Sequence, residues 1–94
     1  MSQEQIIYSK EEEGDLTEYQ YRIIKKGENE YYVEAEIINY DEPVPGVERI
    51  WEHDKICLKI RPEEVKKIIE LLERGIEWFE GEYYNRDWEE CDNL

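Results

Sequence analysis

TEYQYRIIKKGENEYYVEAEIINY, residues 17–40, decides the fold of this 94-residue chain. Over 17–25 the apolar and polar residues alternate, and Tyr19, Tyr21 and Ile23 fall on one face. Lys26, Gly27, Glu28 and Asn29 form a turn signal. Alternation resumes over 30–40: Tyr31, Val33, Ala35 and Ile37 share one face, and Tyr32, Glu34, Glu36, Ile38 and Tyr40 the other. A period of two is that of a half-buried strand, so the stretch predicts an antiparallel hairpin.

Upstream, residues 4–9 predict a short strand, followed by an acidic turn of Glu11, Glu12, Glu13, Gly14 and Asp15. Downstream, residues 41–46 hold Pro43, Pro45 and Gly46 and read as a break, because two prolines and a glycine do not continue a ladder. Strands are expected over 47–53 and 56–61, with Asp54 and Lys55 turning the chain between them into a second hairpin. Pro62 then sits where a helix accepts proline, and Glu63 and Glu64 lie near the positive end of its dipole. Val65, Ile68, Ile69, Leu72, Ile76 and Phe79 recur at helical spacing as one apolar stripe. Gly75 is expected to weaken this helix by about 1 kcal/mol, and Gly81 to stop it. Residues 82–94 are acidic and aromatic, a short helix or a tail. The expected class is α+β: one domain over 1–94, an antiparallel sheet of four to five strands in two hairpins, packed on one C-terminal amphipathic helix.

Twelve lysines and arginines against twenty-six acids leave a formal charge of -14. That excludes a surface built to wrap duplex DNA, which needs clustered cations to neutralise phosphates. With 39% hydrophobic residues and twelve aromatics, the chain carries a core and is not disordered by composition. The charge is unevenly spread: -5 over residues 1–20, -3 over 21–46, zero over 47–76 and -6 over 77–94. The balanced segment offers i,i+4 pairs, Glu63 with Lys67 and Glu70 with Arg74.

Catalytic chemistry has thin support. His53 is the only histidine; with Glu52, Asp54 and Cys57 nearby it falls short of a metal set and reads as an exposed turn residue. Three hydroxyl residues, Ser2, Ser9 and Thr17, with one histidine argue against a nucleophile–base arrangement, and five isolated glycines form no phosphate loop. No enzyme activity, cofactor or metal is expected. No apolar run reaches the ~18 residues of a membrane span, the start of the chain lacks the marks of a signal peptide, and Cys57 and Cys91 form no CxxC pair. The expectation is a cytoplasmic protein with two reduced thiols.

What the residues favour is binding. Carboxylates interleaved with Tyr and Trp, the residues that anchor interfaces, mark Glu11, Glu12, Glu13, Asp15, Glu34, Glu36, Glu82, Tyr83, Tyr84, Asp87, Trp88, Glu89 and Glu90 as a partner-binding set. The partner expected is a basic protein, such as a nucleic-acid-binding enzyme, rather than a membrane or nucleic acid itself. In size and acidity the chain resembles bacterial immunity proteins, phage anti-restriction proteins and some anti-CRISPR proteins, which implies an inhibitor or DNA mimic. A second reading rests on residues 56–64, ICLKIRPEE: a strand entering a helix, which resembles the last strand and helix of the single-stranded-DNA-binding transcriptional coactivators. That likeness implies a nucleic-acid face of Arg49, Lys55, Lys59 and Arg61, with Trp51 and Tyr40 as stacking platforms. A third is an accessory protein that forms a homodimer through a sheet edge.

Overall fold

The computed structural model describes residues 4–44 and 46–91, and of residues 42–44, 47–49 and 51 the backbone alone. The element order is β1 (Gln5–Glu13), β2 (Thr17–Gly27), β3 (Glu30–Val44), β4 (Val47–Ile60), a 3-10 turn (Pro62–Glu64), α1 (Val65–Arg74), α2 (Ile76–Tyr83) and a two-residue β5 (Glu89–Glu90). The strands form one five-stranded sheet in sequence order, every neighbouring pair antiparallel. Both helices lie on one face of it, so the molecule is an α+β domain, as the strand and helix periods predict.

The hairpin of residues 17–40 forms in the expected register, with Ile23 opposite Val33 and Tyr21 opposite Ala35. Asn29 makes its turn at a positive φ of 154°. Glu11, Glu12 and Glu13, expected in a turn, belong to β1, opposite Gln20, Tyr19 and Glu18. Asp54 and Lys55, also expected as a turn, continue β4 opposite Ile37 and Glu36. The sheet is therefore a meander, not two separate hairpins. A polar pair reads as a turn only when its cross-strand neighbours are ignored; here the Lys55 ammonium meets the Glu34 carboxylate across the ladder, at 3.5 Å. Pairing persists to Val44 opposite Val47, so the expected break shrinks to the tip of the hairpin; Pro45 lies outside the described residues. β3 has 15 residues, which at about 3.3 Å each is roughly 50 Å, matching the 48 Å long axis of the molecule.

The apolar stripe of the C-terminal segment is buried as expected at Ile68, Leu72, Ile76 and Phe79, joined by Leu71 and Tyr83. Against these pack Tyr21, Ile23, Val33, Ala35, Leu58 and Ile60 from the sheet. The two glycines exchange roles. Gly75 breaks the helix at φ 147° and ψ 149°, while Gly81 lies inside α2. The α2 N-terminus, which begins at this glycine and has no side-chain cap of its own, takes one from β1: the Ile76 N–H donates to Glu12 Oε2 at 2.7 Å. An acid placed among the contact residues by sequence thus serves the fold.

Candidate binding site

The helices cover only part of the sheet. Past Tyr21 and Ala35, where Ala35 offers a floor without bulk, a cavity of about 410 Å³ opens between the sheet and the end of α2. Tyr19 and Tyr21 of β2, Ala35 and Ile37 of β3 and Ile56 of β4 form its base. Phe79, Glu80, Tyr83, Tyr84 and Trp88 close it from the helix side. Phe79 is the pivot of the aromatic cluster. Its ring stacks on Tyr83 with centroids 4.9 Å apart and meets Tyr21 and Trp88 edge-on at 5.5 and 6.1 Å.

The wall is held from several sides. The Trp88 indole N–H donates to the Tyr83 carbonyl at 2.9 Å, folding the segment after α2 back over the cluster. Arg86 lies over the Tyr83 ring at 5.2 Å and donates to Glu64 Oε1 at 3.1 Å. Glu64 also accepts from the Arg61 N–H at 2.9 Å. Burial raises its pKa, but the Arg61 N–H and then Arg86 outweigh that and hold the Glu64 carboxyl below the usual range.

Among the described residues, Glu80 is the one charged residue that lines the cavity. Its Oε1 accepts the Tyr21 phenol proton at 2.7 Å. Burial, and then the hydrogen bond to Glu80, push the Tyr21 phenol far above its ordinary value, so it stays a donor. The register adds carboxylates around the opening: Asp54 stands opposite Ile37 and Glu90 opposite Ile56, on the same face and exposed. Lys10, opposite Tyr21 on β1, is on this face too but does not line the cavity.

The expected partner set therefore divides. Tyr83, Tyr84 and Trp88 line the cavity, and Glu90 stands beside it. Glu82 turns away to pair with Lys67 at 2.9 Å, so Lys67 reaches α2 rather than the Glu63 expected at i,i+4. Arg74, expected to pair with Glu70, lies over the Trp78 ring at 5.3 Å. Asp87 and Glu89 line a separate recess with Lys59 and Arg86. Glu11 and Glu13 pair with Gln20 and Glu18 on the helix-free face, and Asp15 is exposed in the turn between β1 and β2.

Glu34 and Glu36 also lie on the helix-free face, in an internal ion-pair network. Arg22 reaches Glu34 at 2.7 Å and Glu36 at 3.4 Å, and also bonds Gln20. His53, in β4 rather than a turn, puts Nε2 3.2 Å from Glu36. Burial would raise the Glu36 pKa, but hydrogen bonds from His53 and Arg22 outweigh it and lower it. The same network occupies Lys55 of the alternative nucleic-acid face. Lys59 and Arg61 are exposed, whereas the side chains of Arg49 and Trp51 lie outside the described residues.

Two features escaped the sequence reading. Glu80 and the sheet floor of the cavity join the site only through the packing of α2; the alternation of Tyr19 and Tyr21 was the available signal, and it reads equally as core. Cys57 and Cys91, expected as reduced thiols, form a disulfide with Cα atoms 5.0 Å apart. The reason is β5: Glu89 pairs with Cys57 on the free edge of β4, which brings Cys91 alongside. Glu34 lies within 4.8 Å of both sulfurs, but sulfurs bonded to each other offer no thiolate to a metal. Compared with family models, curated proteins and solved structures, the chain matches none.

Proposed function

We propose that this chain is a small non-catalytic binding protein that docks on the basic, nucleic-acid-binding surface of a partner protein. The observation that carries this reading is the cavity: an aromatic-lined recess with Glu80 as its one charge among the described residues, and further carboxylates beside its mouth. Pockets lined by aromatics with one or two placed polar groups are the first candidates for binding sites, and aromatic residues with an acidic surround suit a cationic partner. The net charge of -14 supplies long-range attraction to the same partner. Occupying such a surface excludes nucleic acid from it, which is how an acidic protein acts as an inhibitor or DNA mimic. On the helix-free face, by contrast, Arg22 and Lys55 are neutralised by Glu34 and Glu36, which disfavours a nucleic-acid platform there. The Cys57–Cys91 bond suits an oxidising compartment better than the cytosol.

The test is affinity capture from the source cell, read at low salt and at about 1 M salt, where the Debye length falls to roughly 3 Å. A basic nucleic-acid-binding protein is expected at low salt, lost at high salt and displaced by added DNA. A partner retained unchanged at high salt, or indifferent to DNA, would sink the reading.

A further inference from the structure

We infer that the cavity receives an arginine side chain of the basic partner. This rests on the docking reading above and specifies the group that enters.

The lining sets the chemistry. Glu80 is exposed, and an apolar occupant would strip water from its carboxylate and leave it the Tyr21 hydroxyl alone, while an anion would be repelled by it; both are costly. A cation satisfies the carboxylate and suits an aromatic lining, of which Tyr84 is the most exposed ring. Among the described residues no cation pairs with Glu80, whose Oε1 is oriented by the Tyr21 hydroxyl at 2.7 Å. Guanidinium fits this setting better than ammonium. It is planar, less strongly hydrated, stacks on aromatic faces and presents paired N–H groups to a carboxylate. About 410 Å³ also admits a flat head with its aliphatic stem against Ile37 and Ile56.

The chain already makes such an arrangement on its own surface. Arg86 lies over the Tyr83 ring at 5.2 Å while donating to Glu64 at 3.1 Å. The cavity offers rings and a carboxylate in the same combination, without the arginine. Exposed Asp54 and Glu90 near the mouth favour approach of a positively charged segment.

The experiment uses the full disulfide-bonded chain and three capped five-residue peptides, glycine throughout except for a central arginine, lysine or citrulline. Citrulline keeps the shape of arginine and removes its charge. The readout is the indole N–H resonance of Trp88 during titration. The arginine peptide is expected to shift it saturably and to bind about tenfold more tightly than the citrulline peptide, with lysine between them. Glu80→Gln still accepts the Tyr21 proton, so its amide spectrum stays native while the preference for arginine over citrulline disappears. Equal binding of the two peptides, or shifts that leave Trp88 unmoved, overturn the inference. If Glu80→Gln captures the basic partner as well as the parent chain does, the arginine assignment falls while the docking reading stands.

Discussion

Phe79 shows how one residue ties fold to site. It is fully buried, and its ring touches Tyr21, Tyr83 and Trp88, three of the walls of the cavity. Phe79→Ala is expected to cost about 3–5 kcal/mol by urea denaturation. Glu12→Ala removes the acceptor for the first N–H of α2 and is expected to cost about 1–3 kcal/mol, while Glu12→Gln recovers most of it. Glu36 and Glu64 give the acid limit. Their carboxyls are held below the ordinary value in the fold, so their contribution is complete above about pH 4.5 and drains away as pH falls through the folded values. The urea midpoint should therefore drop on acidification, and less steeply in the double variant Glu36→Gln, Glu64→Gln. Tyr21 has the opposite sign: its raised pKa keeps its contribution whole up to about pH 10 and surrenders it only above. At this scale the inward face of the central hairpin was legible, because alternation alone places Tyr21, Ile23, Val33 and Ala35. The work of Glu12 was not, because a contact across 64 positions leaves no local pattern.

At the scale of elements, the two glycines of the helical segment make opposite predictions. Gly75 adopts a φ of 147°, which side chains rarely take, so Gly75→Ala should lower stability by about 1–3 kcal/mol. Gly81 is helical, and a Cβ there meets nothing within 4 Å, so Gly81→Ala should raise stability by about 0.5–1 kcal/mol. Sequence spacing assigned the stop to Gly81, since the apolar stripe runs through Gly75 unbroken and periodicity does not register the backbone break there. β4 teaches a similar lesson: Asp54 and Lys55 look like a turn until Ile37 and Glu36 stand opposite them. The disulfide joins positions 34 apart, and its loss should cost about 2–4 kcal/mol. Melting with and without reductant checks this. Amide exchange should then accelerate most over residues 86–91, the segment that carries Trp88 and pairs with β4.

For the whole molecule, the charge of -14 is reorganised by the fold. Part of the acidity of the first hairpin is spent on Arg22, His53 and Lys55 across the helix-free face, and so is not available to a partner there. The cavity side instead combines Glu80, Asp54 and Glu90 with a lining that, among the described residues, contains no cation. Sequence pointed to the C-terminal aromatics as a contact surface. It could not join them to Tyr19, Ile37 and Ile56, because that joining depends on where α2 ends over the sheet. Raising salt from about 0.1 to 1 M should weaken partner binding mainly through a slower association rate, as expected for steered encounter. The most direct test of the account is amide and indole shift mapping of the complex with the captured basic partner. Shifts centred on Tyr19, Glu80, Tyr84 and Trp88 are expected; shifts centred on Arg22, Glu34 and Lys55, with the cavity residues unmoved, would contradict docking through the cavity.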